Sequence, residues 1–483
     1  MTPSVTSPPT PATNEALTMI DILGVIFEAC LALNFSVEWH NDVRQKMALG
    51  AVCRCWKFTL ESLPALWSHI ILVPRMPQYY IDKVFRLAKQ APKRLSIDLD
   101  LDSKLDTMFL SSIAALLVAK AETVTHISVQ YISYSAWNTF VDHLSAASPQ
   151  PRFLSLRSFY ATSPTALHNQ LEDAVPHSFP DLAANLQVLY LDGLPPSSFV
   201  VGPNLISLAL TNLDLAQDDT ASFTFTTTLL NSLRQTPHLE TLFIDVDESI
   251  TYQPAPHQPV VLPCLHTLSF LCNTPFPHCC GFLLSPIHLP KLHSLSLHLA
   301  SVHNTNSFIS VNGTHLSTIV VLRLIGDISV YIEPADGPAK LLSSLTGSRL
   351  RHLNFLDVDG LFPFDSEHNA SIQTQFLEIL AHALSLPNVR LVVIPPLFSP
   401  PRPASRASLI RSLLEPVAMQ AEPKRIFEEH ALCVSIDDDH SKCGRMWSWD
   451  YCGLASENKA SRFHKASHFD AALLPIFYLS GSS

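Results

Sequence analysis

The residues of this chain that could do chemistry are cysteines, histidines and aspartates that lie close together in sequence. Two groups have the residue types of a zinc site: Cys272, His278, Cys279 and Cys280, and then Cys433, His440, Cys443 and Cys452. Structural zinc sites usually contain paired C-x-x-C knuckles, and adjacent cysteines chelate a tetrahedral ion poorly. Neither group contains such a pair, so the sequence predicts no metal site in either.

A run of alternating aspartates is a second candidate for metal binding. It consists of Asp98, Asp100 and Asp102. A calcium loop would need glycine at its sixth position and glutamate at its twelfth, where this chain has Ser103 and Phe109. Because the aspartates alternate with apolar residues, the pattern instead predicts a strand with one wet face.

The common catalytic and nucleotide-binding motifs are absent from the sequence. It has no H-E-x-x-H, G-x-S-x-G, G-x-G-x-x-G or G-x-x-x-x-G-K-[ST] segment, and only 13 glycines. We therefore predict no catalytic residue, no cofactor and no enzymatic activity. A hydrolase stays open as a remote alternative, since the members of a catalytic triad come together only in space.

Composition and charge indicate a soluble intracellular protein. With 483 residues, 47% hydrophobic and 15% charged, the chain is globular and long enough for several domains or one repeat array. The net charge of −11 argues against a nucleic-acid partner. The first 14 residues lack the features of a secretion signal, and no apolar stretch is long enough for a membrane span. The cytoplasm or the nucleus is the expected location.

The first 75 residues predict a tail (1–14) followed by a small helical module (15–75). Apolar residues recur at helical spacing from Leu17 to Leu33, and a second helical run follows with Val43, Met47, Val52 and Trp56. Pro64 begins the next short element, and residues 68–73 resemble a strand.

From residue 76 to 395 the dominant signal is a repeat of the form apolar-x-x-apolar-x-apolar. The better copies are Leu186/Leu189/Leu191, Leu205/Leu208/Leu210, Leu239/Leu242/Ile244, Leu265/Leu268/Phe270, Leu292/Leu295/Leu297, Ile319/Leu322/Leu324, Leu350/Leu353/Phe355 and Val389/Val392/Ile394. Weaker copies lie at Leu95/Ile97 and Val124/Ile127/Val129, with an ambiguous one at Leu154/Leu156.

Most copies begin about 26–34 residues apart, which is near the period of leucine-rich repeats. One copy cannot bury its own apolar face, so the copies must stack. The sequence therefore predicts an irregular leucine-rich-repeat-like solenoid with a parallel sheet, in the α/β class. Some connections should be helical, such as 223–234 and 371–386. Residues 396–483 are predicted to be a proline-rich linker and a C-terminal capping region.

The segments Val52–Lys57 (V-C-R-C-W-K) and Leu63–Ile70 (L-P-A-L-W-S-H-I) resemble a known family. Together with Asp21–Phe27 and Arg86–Pro92, they are similar to F-box-like proteins of mushroom-forming fungi, over roughly residues 17–97. The family usually begins its box with Leu-Pro, whereas this chain has Leu17-Thr18.

The resemblance implies a substrate-recognition subunit of a Skp/cullin/F-box ubiquitin ligase. The module would dock on a Skp-type adaptor, and through it on a cullin, while the solenoid holds a target protein. By position in the motif, the adaptor-binding residues would be Ile20, Ile22, Leu23, Ile26, Phe27, Val52 and Trp56. Trp67 would anchor the module to the repeats.

The target-binding residues are predicted from strand alternation. Side chains between the inward leucines should point to the opposite face, which selects Tyr190, Asp192, Phe243, Asp245, His298, Arg323 and Asn354. The alternative function is a ubiquitin-independent repeat scaffold for protein–protein interaction.

Overall fold

A computed structural model of the chain describes the residues that carry the repeats and the helical module. These are 20–32, 39–74, 76–99, 107–131, 133–147, 153–162, 177–179, 185–195, 199, 201–213, 219–246, 259–272, 286–298, 315–325, 349–350, 352–356 and 391–393. The chain divides into two compact units, Met1–Leu186 and Gln187–Ser483. Both contain α-helices and parallel strands, so the predicted α/β class is confirmed.

The first unit begins with three helices: α1 (Ile20–Ala32), α2 (Trp39–Ala51) and α3 (Arg54–Ser62). The side chains of Leu23 and Phe27, one turn apart on α1, are fully buried. The ring of Phe27 meets that of Trp56 edge-on, with centroids 5.1 Å apart. Because Gly24 has no side chain, α1 can lie close to Leu63; a Cβ at position 24 would be 3.2 Å from Leu63 Cδ1.

Trp67 joins the end of α3 to the first strand. It ends a short 3₁₀ turn, Pro64–Trp67, and only 4% of its side chain is exposed. Its Nε1 donates to the carbonyl oxygen of Leu60 over 2.7 Å, which satisfies a carbonyl that the end of α3 leaves without a helical partner. Lys46 Nζ lies 5.2 Å from the ring centroid. The predicted anchoring role is consistent with this burial.

Four parallel strands follow in chain order: β1 (His69–Leu72), β2 (Lys93–Leu99), β3 (Val124–Tyr131) and β4 (Ser158–Thr162). They are connected through α4 (Gln78–Ala88), α5 (Thr107–Lys120) and α6 (Tyr134–Ala146). One face of this sheet is apolar and buried, with Leu95, Ile97 and Leu99 as its members on β2. The wet-faced strand predicted around Asp98 is thus confirmed as far as residue 99.

An aromatic cluster packs α6 against the sheet. Its members are Tyr131, Trp137, Phe140, Phe159 and Phe179, with ring centroids 4.8–6.4 Å apart. The described segment 177–179 is held on α6 by polar contacts as well. The Nε1 of Trp137 donates to the carbonyl of His177, and the His177 ring lies 2.8 Å from a carboxylate oxygen of Asp142.

Lys93 is a fully buried lysine at the start of β2. Its Nζ donates to the carbonyl oxygens of Lys89 and Ala91 and to Thr123 Oγ1, which uses all three ammonium hydrogens. The backbone of Lys89 is strained, because its φ of 47° lies in the left-handed region that non-glycine residues rarely adopt. This residue supplies one of the carbonyl oxygens that bind the Lys93 ammonium group. Burial, and then the charge of Lys120, lower the pKa of Lys93.

The second unit contains eight parallel strands that pair in chain order. They are β5 (Val188–Asp192), β6 (Ser207–Leu213), β7 (Thr241–Val246), β9 (Thr267–Cys272), β11 (Ser294–His298), β12 (Val321–Ile325), β13 (His352–Leu356) and β14 (Leu391–Val393). Two short strands, β8 (Val260–Val261) and β10 (Ile287–His288), pair separately. The predicted helix at 223–234 lies within α7 (Asp219–Arg234). The helix predicted at 371–386 and the region 396–483 lie outside the described residues.

The leucines of successive repeats form continuous rows across this sheet. One row joins Leu189, Leu208, Leu242, Leu268, Leu295, Leu322, Leu353 and Val392 through direct register partners. From Leu189 to Leu322 each of these side chains is at most 1% exposed. The prediction that the inward leucines line up in neighbouring parallel strands is confirmed.

A recurring turn brings each repeat into its strand. The N–H of the first apolar residue of the motif donates to the carbonyl three residues earlier, in the pairs Leu239/Thr236, Leu265/Leu262, Leu292/Leu289 and Ile319/Leu316. Leu262, Leu289 and Leu316 are themselves fully buried. The repeat therefore contains one more inward apolar position than the sequence pattern identified.

The ambiguous copy was placed wrongly at Leu154/Leu156. Leu154 is 58% exposed, whereas Leu156 is buried and its N–H closes the recurring turn onto Phe153. Phe159 and Ala161 on β4 are the inward residues that follow. This copy of the repeat motif is therefore Leu156/Phe159/Ala161. The sequence pattern did not identify it, because an aromatic and a small residue stand where the other copies have leucine.

We predict that Trp67→Ala lowers the free energy of unfolding by about 3–5 kcal/mol, since it empties a large buried aromatic site and removes the bond to Leu60. Urea denaturation measures the loss. Phe58→Ala is the matched control, because Phe58 is 67% exposed and its loss should cost about 0.5 kcal/mol or less. Equal effects of the two substitutions would contradict the anchoring role.

Candidate protein-interaction surfaces

The helical module carries large hydrophobic side chains that stay exposed. We call Ile22, Val25, Met47, Val52 and Phe58 the exposed apolar set; their exposed fractions run from 40% to 70%. Only three other large hydrophobics are comparably exposed among the described residues: Tyr79, Leu154 and Val261. Five exposed large apolar side chains within about forty residues make the helical module the candidate surface for a protein partner.

On helix α1, the exposed apolar residues lie together on one side. Leu23 and Phe27 form its buried side, but the opposite side carries Ile22, Val25 and Ala29, which are also apolar and exposed. A surface helix normally places charged or polar residues on its outer side. Three exposed apolar residues on that side of α1 make it a candidate interface.

The residues predicted to bind an adaptor divide into two groups. Leu23 and Phe27 are fully buried, and Trp56 and Ile26 are half-buried, so these four stabilise the module itself. Ile22 and Val52 are exposed at 40% and 59%. Ile20 begins α1, and its side chain lies outside the described part of the structure.

Sequence reasoning missed Val25, Met47 and Phe58 as surface residues. The signal that could have identified Phe58 is its position in α3, whose buried residues are Thr59 and Leu60. An aromatic residue outside the buried stripe of a short amphipathic helix has no packing role inside the module. Cys53 caps this helix, because its Sγ accepts from the N–H of Trp56 at 3.4 Å.

Four of the seven residues predicted to bind a target share one row across the strands of the second unit, and two of these four are almost fully buried. Tyr190, Phe243, Arg323 and Asn354 belong to a single register row, as alternation predicted. Tyr190 and Phe243, however, are only 4% and 6% exposed. The exposure that motivated their selection is therefore not observed.

The acidic members of that predicted set are buried too. Asp192 is 6% exposed and Asp245 is 0% exposed. Asp192 and the Oη of Tyr190 lie 3.0 and 3.2 Å from Thr211 Oγ1, which forms a small internal polar cluster. Buried polar groups need such partners, so Asp192 and Tyr190 stabilise this face rather than present it to a target.

Arg323 is half-buried, and desolvation lowers its pKa; its Nη1 lies 3.5 Å from Ser294 Oγ. His298 ends β11 and Asn354 lies in β13. The side chains of His298 and Asn354 are outside the described residues. Among the candidates chosen from sequence, none is observed as an exposed target contact.

The first unit has a more open sheet face. We define its polar face as His69 of β1, Arg94, Ser96 and Asp98 of β2, His126, Ser128 and Gln130 of β3, and Tyr160 of β4. Each of these side chains is half-buried or exposed. His69, Arg94 and His126 are register partners in one row at the starts of their strands. Arg157 immediately precedes β4 and is exposed.

His126 is held neutral on this face. Burial, then Arg94 and Arg157, lower its pKa to about 4. Its Nδ1 lies 2.8 Å from Thr125 Oγ1, and the Thr125 hydroxyl donates to the carbonyl of Lys93. The hydroxyl of Thr125 has a single hydrogen, which this bond to Lys93 uses. Nδ1 of His126 must therefore carry a hydrogen and donate it to Thr125 Oγ1, and Nε2 is the nitrogen that takes up a proton.

The metal sites considered from sequence find no support in the described residues. No three His, Cys, Asp or Glu side chains of that part of the chain come together as ligands. Cys272 ends β9, while the other members of both cysteine groups, and Asp100 and Asp102, lie outside it. In the same described part, no helix is long and apolar enough to cross a bilayer.

We predict that acidification destabilises the protein through His126. Its folded pKa is about 4 and its ordinary value is 6.5, so below pH 6.5 the unfolded chain binds a proton that the folded chain does not. Stability should fall as the pH drops from 6.5 towards 4, by at most about 3 kcal/mol from this group. Unfolding curves of the wild type and His126→Asn at several pH values measure this difference. If the free energies of unfolding of the two proteins changed equally with pH, the predicted role of His126 would be refuted.

No protein-family model matches this sequence, and no curated protein is significantly similar to it.

Proposed function

We propose that the chain is a target-recognition subunit of a Skp/cullin/F-box ubiquitin ligase and has no catalytic role of its own. Its helical module would dock on a Skp-type adaptor through the exposed apolar set. Its strands would form a leucine-rich-repeat-like solenoid that holds a target protein. The observation that carries the proposal is the concentration of exposed large hydrophobics on the helical module.

The exposed apolar set supports a protein partner more than any other ligand. Aromatic and long aliphatic side chains such as Phe58 and Met47 are the usual anchors of protein interfaces. The residues beneath them are well packed: Leu23, Phe27 and Leu60 are buried at 3% exposure or less. A preorganised docking surface requires exposed apolar side chains that are held in place by a well-packed core.

The proposed solenoid is supported by its repeating backbone contacts. Besides the turn at each first apolar residue, the next residue donates to its counterpart in the preceding repeat, as Glu240 N–H does to Ile206, His266 to Glu240, His293 to His266 and Val320 to His293. Such regular contacts between neighbouring copies are expected when each repeat stacks on the one before it.

A ubiquitin-independent scaffold is the second candidate. The feature that favours it is the Leu17-Thr18 sequence where the family usually has Leu-Pro. Proline at a helix start pre-sets the backbone, so its replacement changes the edge of the module that would meet the adaptor. This scaffold would keep the repeats and use the exposed apolar set for another protein.

We predict that the full chain binds a purified Skp-type adaptor and that Val52→Asp or Phe58→Asp weakens binding by about tenfold or more, because a charge is then buried in an apolar interface. Isothermal titration calorimetry measures the affinity. Leu154→Asp is the matched control, since Leu154 is 58% exposed and lies outside the module.

The variants must keep the melting temperature of the wild type, which is expected because the substituted side chains are exposed. A folded wild-type chain without adaptor affinity would sink the ligase proposal and favour the scaffold. Equal losses of affinity in the Val52→Asp and Leu154→Asp variants would show that the exposed apolar set is not the docking surface.

A further inference from the structure

A row of basic groups crosses the start of the polar face of the first unit. His69, Arg94 and His126 are register partners on adjacent strands, and Arg157 immediately precedes the fourth. Adjacent strands are about 4.8 Å apart, so the row extends over roughly 15 Å from β1 to β4. The side chains of Arg94 and Arg157 are exposed.

The charge of this row is not balanced within the row. The charged groups that act on His126 are Arg94 and Arg157, and both disfavour its protonation. The carboxylate of the polar face is Asp98, which lies four residues further along β2, about 13 Å away. Among the described residues at this face, the two arginine charges thus lie at one end and the carboxylate of Asp98 lies further along the strand.

The proton state of His126 makes the row responsive to an anion. Because Nδ1 donates to Thr125, Nε2 carries the lone pair and becomes a second donor when it is protonated. The two arginine charges oppose that protonation in the free protein. Burial is the larger cause of the low pKa of His126, and the arginine charges are the smaller one; an anion between the arginines would offset that smaller part and so raise the pKa.

We propose that this basic row binds an acidic segment of the target protein, with carboxylates paired to Arg94 and Arg157 and a proton taken up from solvent by His126. The proposal rests on the proposed function for the statement that the bound protein is a ubiquitination target. The target site would then lie on the open face of the first unit, and not at the buried row of the second unit that the sequence predicted. Binding and protonation are coupled, so each strengthens the other.

An acidic peptide fits the row better than a nucleic acid does. Nucleic-acid sites usually extend a dense track of lysine and arginine along a backbone, in a domain of basic overall charge. Here the basic row contains two arginines and two histidines, and the chain is acidic. Two carboxylates of an extended segment match the two arginines, and a third can pair with the imidazolium that forms at His126 on binding.

The test uses the full chain and a fluorescein-labelled octaglutamate peptide, whose affinity is measured by fluorescence anisotropy at low salt between pH 7.5 and 5.5. Arg94→Gln combined with Arg157→Gln should weaken binding by about tenfold. Arg86→Gln, an exposed arginine on α4 outside the row, should leave the affinity within about twofold of the wild type. High salt should weaken the wild type and bring it close to the double variant.

The proton coupling has its own readout. Wild-type affinity should rise as the pH falls, by at most about tenfold per pH unit, because at most one proton is taken up by His126. His126→Asn should bind octaglutamate without this pH dependence. Histidine-labelled NMR should show one imidazole, missing from His126→Asn, whose pKa rises when the peptide is added.

Several results would overturn the proposal. A wild-type chain without affinity for octaglutamate at low salt would do so, as would equal affinity in the double arginine variant. An oligouridylate of the same charge that binds more tightly, and loses affinity in the double variant, would assign the row to nucleic acid. None of these measurements involves the Skp-type adaptor, so failure here and failure of adaptor docking are distinguishable.

Discussion

Each repeat strand of this protein has one apolar face only two or three side chains long, and that face is buried only when another strand lies beside it in register. Leu242 is covered because Leu208 and Leu268 are its direct partners on either side. Side chains alternate along a strand, so a slip of one residue would move every leucine of that strand to the opposite face and out of the leucine row. Register is therefore fixed by the same contacts that supply most of the hydrophobic stabilisation.

That constraint also governs how the first unit begins. Its first strand, β1, has a repeat on one side only, through its pairing with β2. The helical module supplies apolar residues next to it: Leu66 and Trp67 are buried in the turn that leads into β1, and Val43 of α2 lines a small cavity together with Ile70 and Ile71. The module thus uses one set of hydrophobic residues for its own interior, and a second set, which includes Val25 and Phe58, remains at the surface. Two apolar sets in so small a module are difficult to explain by folding alone.

The sequence predicted the strands well because period-two alternation and a repeated leucine spacing are local signals. The row that joins Leu189 to Leu295 followed directly from that spacing. It predicted accessibility poorly, since exposure depends on what covers a face and not on which face a side chain occupies. Tyr190 and Phe243 lie on the predicted face, and they are buried there. The exposed position of Phe58 was missed for the same reason.

Residue type, considered together with alternation, would have distinguished the two sheet faces. The alternate positions of β2 and β3 hold Arg94, Asp98 and Gln130, which keep their polar ends in water and are half-buried or exposed. The corresponding row of the second unit holds Ala209, Phe243, Ser269 and Ser296, and all four are at most 8% exposed. Small and aromatic residues at alternate positions tolerate a covered face, whereas charged and amide side chains lose hydration there and need a polar partner, as the half-buried Arg323 has in Ser294. An open face, and therefore a surface for a partner, is expected where charged and amide side chains alternate with leucine.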